Sequence, residues 1–202
     1  SAVSLAGQVT FVFNLCVTVL VQGTTMLAAQ YWGKGERDTV EQILALAIRY
    51  MMAVTVVFLV CTLFFPERSM SLLTNETALI SRGAEYLRIA GISYVPSGLS
   101  QMYLCIMKNS GKTAKSTVIG SSSMILNLCF NTVFIFGLTG FPAMGIRGAA
   151  LATVLATAVQ FVWTLIEAGK AGSIQIRISY IVSVDQKNRQ DFNRYTLPVV
   201  GN

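Results

Sequence analysis

The chain has no histidine and only 9 acidic residues among its 202, and all charged side chains together make up 12% of it, against about 25% in ordinary soluble domains. The four cysteines, Cys16, Cys61, Cys105 and Cys129, form no CxxC pair. Without histidine or paired thiols, neither a metal centre nor a disulfide framework is expected. All four fall in apolar stretches, where a thiol behaves as a small hydrophobe. The string "GKT" at 111–113 is not a phosphate loop, because that motif needs a glycine where Ile106 stands. "NET" at 75–77 matches a glycosylation sequon, but nothing else in the sequence points to a secretory route.

What the chain does have is long uncharged runs, at 1–33, 50–66, 89–107, 116–146 and 148–166, in a sequence that is 53% hydrophobic. A bilayer core about 30 Å thick needs about 20 mostly apolar helical residues, and each run supplies nearly that once its flanks are added. The expected fold class is therefore an all-α polytopic membrane protein, with five helices at 6–31, 42–65, 89–108, 116–137 and 146–167. The lipid bilayer is its first partner, and the eight methionines and eleven phenylalanines are core and lipid contacts.

Lysine and arginine set the orientation. Lys34, Arg37, Lys108, Lys112, Lys115, Lys170, Arg177, Lys187, Arg189 and Arg194 fall on one side of the five spans; Arg68, Arg82, Arg88 and Arg147 fall on the other. This asymmetry places the loops at 32–41 and 108–115, and the tail after 168, in the cytoplasm. Arg49, about two turns inside the second span, reaches toward the same headgroups. The net charge of +6 is a topology signal, and no nucleic-acid partner is expected, since the charge lies on both sides of a membrane. The chain opens without methionine and stops inside the apolar run "RYTLPVVGN". It reads as an internal piece of a longer protein, with transmembrane helices over 1–167, a cytoplasmic linker at 168–194 and the start of another span at 195–202.

At 100° per residue, Ser116, Gly120, Ser123, Asn127 and Asn131 fall on one face of the fourth helix. The first helix carries a stripe of Thr10, Asn14, Thr18, Gln22 and Thr25. The third carries Ser93, Tyr94, Ser97, Ser100 and Gln101, and the fifth Thr153, Thr157, Gln160 and Thr164. Polar groups gain nothing from facing lipid, so these stripes are expected to turn toward one another or toward a water-filled cavity. The second helix, with Thr55 and Thr62, is nearly bare of such a stripe and is the candidate for the lipid-facing one. Small and hydroxyl residues also pack membrane helices, and Gly148, Ala152 and Ala156 form such a seam on the fifth. The amides need more partners, which makes Asn14, Gln22, Gln101, Gln160, Asn127 and Asn131, with Tyr94, the candidates for a cavity wall. No spanning segment contains Asp, Glu or His, so the chain by itself offers no titratable proton carrier.

Particular stretches carry a resemblance. "AGQVTFVFNLCVTVLVQGTTMLAAQYWGKGE" at 6–36 resembles the second transmembrane helix of the multidrug and toxic compound extrusion (MATE) family. "IMKNSGKT" at 106–113 is similar to that family's Arg-x-x-Gly-x-Thr turn, with Lys108 in the arginine place. "LNLCFNTVFIFG" at 126–137 followed by "MGIRGAALATV" at 144–154 resembles its fifth and sixth helices, and "LPVVGN" the opening of its seventh. The resemblance implies helices two to six of the first lobe of a two-lobed, twelve-helix antiporter. Such a transporter exports organic cations or other amphiphiles by alternating access, driven by sodium or proton influx, across a cell inner membrane.

The same resemblance implies a coupling-cation site at Asn127, Asn131 and Thr153. Asn131 stands where many members have aspartate, so the site is neutral in this chain. No cofactor is implied beyond the coupling ion; the implied partners are small amphiphilic substrates and the second lobe. Three alternatives stay open: a lipid-linked oligosaccharide flippase of the same general fold, which would favour a basic cavity; a membrane-embedded enzyme, which would need acidic, histidine or nucleophile pairs; and a scaffold, which would not need aligned amides.

Overall fold

A computed structural model describes residues 2–140, 142–170, 189–190 and 192–194. The described residues contain helices and connecting turns and no strand: α1 (Ala2–Gly33), α2 (Arg37–Phe64), α3 (Pro66–Ser71), α4 (Thr77–Ala90), α5 (Tyr94–Asn109), α6 (Thr113–Phe136) and α7 (Ile146–Ala168). Four of them, α1, α2, α6 and α7, are long and apolar enough to cross a membrane unaided.

The third expected span differs. Its residues are shared between the end of α4, a 3-10 turn at Gly91–Ser93 and the 16 residues of α5. Pro96 supplies the reason: it has no N–H to give to the carbonyl four residues back, and its ring crowds that carbonyl. The α-helical pattern therefore breaks just ahead of it. Helices α3 and α4 lie in the charged connection between the second and third spans, where hydropathy gives no helical signal. There Arg88 pairs with Glu67 at 4.0 Å and Arg147 with Glu85, tying α3 to α4 and α4 to the start of α7. At the end of α6, Gly137 takes the left-handed conformation (φ 69°) and returns its N–H to Val133 O, a C-terminal cap that suits glycine.

The helix expected to face lipid is packed along its first half and keeps an exposed apolar face, through Met52, Val56, Val57 and Val60, along its second. In α2, 44% of the most apolar stretch is buried, the largest share among the four long helices. It packs against α1 and α5, and residues 43–48 are buried without interruption. Thr55 and Thr62 are wholly buried, each set against a glycine. A Cβ added at Gly98 would stand 2.7 Å from Thr55 Cγ2, and one at Gly91 would collide with Thr62. Between helices in lipid, close van der Waals fit does much of the joining, so a helix with few polar groups can sit at the centre if its neighbours offer small residues. The described part of the tail adds to this packing. Phe192 is 1% exposed, its ring stacks on Tyr50, and Tyr50 Oη donates to Asn193 Oδ1 at 2.9 Å. Of the expected linker and following span, residues 171–188, 191 and 195–202 lie outside the described residues.

The closest pair is α6 with α7. Gly148, Ala152 and Ala156 are all buried along its seam, and a Cβ at Gly148 would stand 2.7 Å from the backbone oxygen of Phe134. The small-residue seam on the last helix thus serves contact with α6, and it sits beside the polar groups described next.

Candidate functional site

The two amides of α6 sit one turn apart and are joined. Asn131 Nδ2 donates to Asn127 Oδ1 at 2.7 Å, and Asn127 Nδ2 donates across to Thr153 Oγ1 on α7 at 3.4 Å. The Thr153 hydroxyl donates in turn to Ala149 O, one turn back in its own helix, at 3.2 Å. One turn along the same seam, Ser123 Oγ donates to Ala156 O at 3.2 Å. The string runs Asn131, Asn127, Thr153, Ala149, with all three side chains half-buried. Each amide still presents oxygen capacity, since a carbonyl oxygen has two lone pairs. A group of neutral oxygens so placed can replace part of the hydration shell of a hard monovalent cation, or can simply fasten α6 to α7.

A second feature opens beside this seam. A cleft of about 550 Å³ lies between α1 and α6, floored by α5 and reached by Gln160 from α7; its wall includes Thr25, Gln101, Cys105, Asn109 and Ser121. Thr25 Oγ1 and Cys105 Sγ are 2.7 Å apart, Asn109 Nδ2 donates to the same sulfur at 3.6 Å, and Gln101 Nε2 donates to Ser97 Oγ at 3.1 Å. Cys105 is therefore more than an apolar filler, because its sulfur links α1 to α5 inside a polar wall. Lys108 also lines the cleft and is the only charged residue to do so among the described residues.

Of the residues expected on a cavity wall, Gln101 and Gln160 border this cleft. Asn14 and Gln22 are exposed on α1, with Thr18 between them donating to Asn14 O. Tyr94 is 2% exposed: its ring stacks on Phe13 at 4.4 Å between centroids, and its hydroxyl is 3.0 Å from Thr10 Oγ1. Within the described chain the α1 stripe thus divides, with Thr10 and Thr25 turned to α5 and Asn14, Thr18 and Gln22 turned away. The physical reason lies in the hydroxyls. Thr18, Thr24, Thr25, Thr62 and Thr164 each donate to the carbonyl four residues back, so they are satisfied on any face.

The expectation that no spanning helix contains an acid is corrected at the helix ends. Glu41 in α2 and Glu167 in α7 lie inside helices long enough to span, and both are buried, at 4% and 6% exposure. Glu167 pairs with Lys170 through Oε1 and lies 3.6 Å from Lys115 Nζ through Oε2. Glu167 falls within the last turn of the expected 146–167 span, and Glu41 one residue ahead of the expected 42–65 span. The i, i+3 spacing of Glu167 and Lys170 was the available signal. Among the described residues no cluster of three histidine, cysteine or acidic side chains could hold a metal ion.

Comparison with known proteins bears on this geometry. The family model described as MatE matches residues 1–133. Over all 202 residues the chain is 20% identical to an uncharacterized transporter, YisQ, of Bacillus subtilis, covering 44% of that protein. Over 156 residues, 77% of this chain, it is 28% identical to a probable multidrug resistance protein, NorM, of Thermotoga maritima, covering 33% of it. The inward-facing structure of a multidrug resistance MATE family transporter superposes on 98% of the chain with a TM-score of 0.83 at 17% identity, using 44% of its own length. The chain thus spans less than half the length of the relatives it matches.

Proposed function

The chain belongs to the MATE family, and from that premise we propose that it forms part of the first lobe of a secondary active antiporter, exporting amphiphilic small molecules in exchange for inward sodium or protons. The family is one of membrane transporters rather than enzymes, and the multidrug resistance relatives supply the substrate class. In this reading the coupling cation is met at Asn127, Asn131 and Thr153. The observation that carries it is the continuous hydrogen-bond string across the α6/α7 seam, which gathers into one place the three positions that the resemblance singled out. The substrates are met along the cleft that Gln101 and Gln160 border, once the rest of the transporter closes over it. The Lys108 side chain in the same cleft keeps a flippase for anionic lipid-linked sugars as the second reading, because a single cation at the wall is the one feature favouring it.

The test is made in the full-length protein. If the amides help hold the ion, the Asn127→Ala/Asn131→Ala double variant loses two contacts of about 1.5 kcal/mol each and needs on the order of a hundredfold more sodium or proton for half-maximal efflux. Folded yield stays largely intact. Asn131→Asp adds a carboxylate, strengthening cation binding and introducing pH dependence. A normal ion-response curve in the double alanine variant, accompanied only by a lower melting temperature, would leave the amides as helix fasteners and remove them from coupling.

The proposed orientation puts the turns at 32–41 and 108–115 in the cytoplasm. Cysteines placed at Lys34 and Lys112 in a cysteine-free background are expected to resist an impermeant thiol reagent outside intact cells and to react after permeabilisation. Ready labelling in intact cells would invert the topology.

A further inference from the structure

The membrane end at which α6 begins and α7 finishes has a surface that the transport reading does not use. Glu167 is 6% exposed, and its Oε2 is buried without a hydrogen-bond partner; Lys115 Nζ, at 3.6 Å, is in ion-pair range only. A buried carboxylate oxygen with an ion pair but no hydrogen bond is costly unless a further donor reaches it. Glu167 lines a recess of about 310 Å³ together with Lys115, Val118, Trp163 and Lys170. Trp163 is shared with a second recess of about 360 Å³ that continues along α7 past Val159, Val162 and Ile166, apolar side chains that are all exposed. The two recesses meet at Trp163, the first polar at the helix ends and the second apolar toward mid-membrane, and together they make a groove. Its indole lies about 7 Å below the end of α7 at 1.5 Å rise per residue, the depth at which tryptophan marks a bilayer interface.

We propose that this groove is a binding site for an anionic glycerophospholipid of the phosphatidylglycerol type. Its phosphate lies between Lys115 and Lys170, a hydroxyl of its glycerol headgroup donates to Glu167 Oε2, and one acyl chain runs over Trp163 toward Val162 and Ile166. The charges select this class. Two lysines and one carboxylate leave a local charge of +1, which a lipid of charge −1 neutralises and a zwitterionic choline lipid does not. The buried acceptor asks in addition for a headgroup donor, which separates phosphatidylglycerol from an anionic lipid whose headgroup is capped by a methyl. Basic recesses between membrane helices bind anionic headgroups in this way. The proposal goes beyond the transport reading and rests only on α6 and α7 spanning a bilayer, so failure of ion coupling at the amides leaves it untouched.

The full-length protein is placed in nanodiscs or mixed micelles with phosphatidylglycerol, phosphatidylmethanol and phosphatidylcholine at equal mole fraction, and retained lipid is counted by native mass spectrometry. The expected order of retention is phosphatidylglycerol first, phosphatidylmethanol several-fold lower and phosphatidylcholine lowest. Lys115→Ala/Lys170→Ala lowers retention of both anionic lipids on the order of tenfold, whereas Glu167→Leu, which removes the acceptor oxygens, leaves anionic lipid retained and erases the preference between the two. Equal retention of all three lipids by the unmodified protein would overturn the proposal without any variant. So would undiminished phosphatidylglycerol in the double lysine variant, or a surviving preference for it in Glu167→Leu.

Discussion

Helices α2 and α6 invert the simplest rule for reading a membrane protein. Past Tyr50, α2 carries no polar side chain besides Thr55, Cys61 and Thr62, yet 44% of its most apolar stretch is buried; α6 carries a full polar stripe, and only 11% of its corresponding stretch is. Exposed Met124, Ile125 and Leu128 cover much of the α6 surface, while its amides point along the single seam shared with α7. Burial in this chain follows from where backbones can come close, and polarity follows from where a few directed bonds are needed. These are separate requirements. In water they would coincide more often, because apolar burial drives folding there; in lipid the tails are as apolar as the side chains, and that drive is absent.

The difference is most readily broken by adding bulk. Gly98→Leu places a side chain into Thr55 and Met51 of α2, atoms already within about 3 Å of where its Cβ would stand, whereas Gly120→Leu on α6 meets nothing within 4 Å. Overpacking a tight site costs about 1–3 kcal/mol, and a substitution into open space stays within about 0.5 kcal/mol. Thermal unfolding in detergent is expected to show a much lowered midpoint for Gly98→Leu and an almost unchanged one for Gly120→Leu. Equal losses would mean that the centre of the bundle is no tighter than its edge.

How much of this was legible beforehand depends on the residue. Span positions were readable because hydropathy and charge alternate along the chain, and the places of α1, α2, α6 and α7 follow from that alternation within a few residues. The α4/α5 junction was not, since a 3-10 turn ahead of Pro96 leaves the apolar run unchanged and alters only its backbone. The standing of α2 was hidden for a different reason: Gly91 and Gly98 belong to another part of the chain, and their use as sockets for Thr62 and Thr55 is a tertiary fact. Serine and threonine misled, because their hydroxyls close onto their own helix and carry little information about direction. The amides of α6 were better guides. An asparagine side chain has four bonding sites and cannot satisfy them all on its own turn, so the spacing of Asn127 and Asn131 did point to a partner, which Thr153 supplies. Glu167 escaped notice because burial of an acid at a helix end depends on which lysines fold over it.

The finest division between the two regions can be made with threonine itself. Thr55 donates only to Met52 O within α2, at 3.1 Å, and its Cγ2 fills the space over Gly98. Thr153 on α7 receives Asn127 Nδ2 from α6. Its hydroxyl is therefore the part that joins two helices, as the Thr55 methyl group is in α2. Valine keeps the branched shape and discards the hydroxyl; serine does the reverse. At Thr55, valine is expected to be nearly neutral, while serine leaves a methyl-sized gap and costs about 0.5–1.5 kcal/mol, the range for deleting one buried methylene. At Thr153 the order reverses: serine retains the bond to Asn127, while valine strands the amide and costs about 0.6 kcal/mol, up to roughly 1.7, as measured for hydrogen bonds between membrane helices. Melting midpoints of the four variants, taken in one detergent at one pH, give the comparison directly. A crossed pattern separates contact by shape from contact by hydrogen bond. If valine is the worse residue at both positions, α2 is held by polar contacts after all and the contrast between the two helices dissolves.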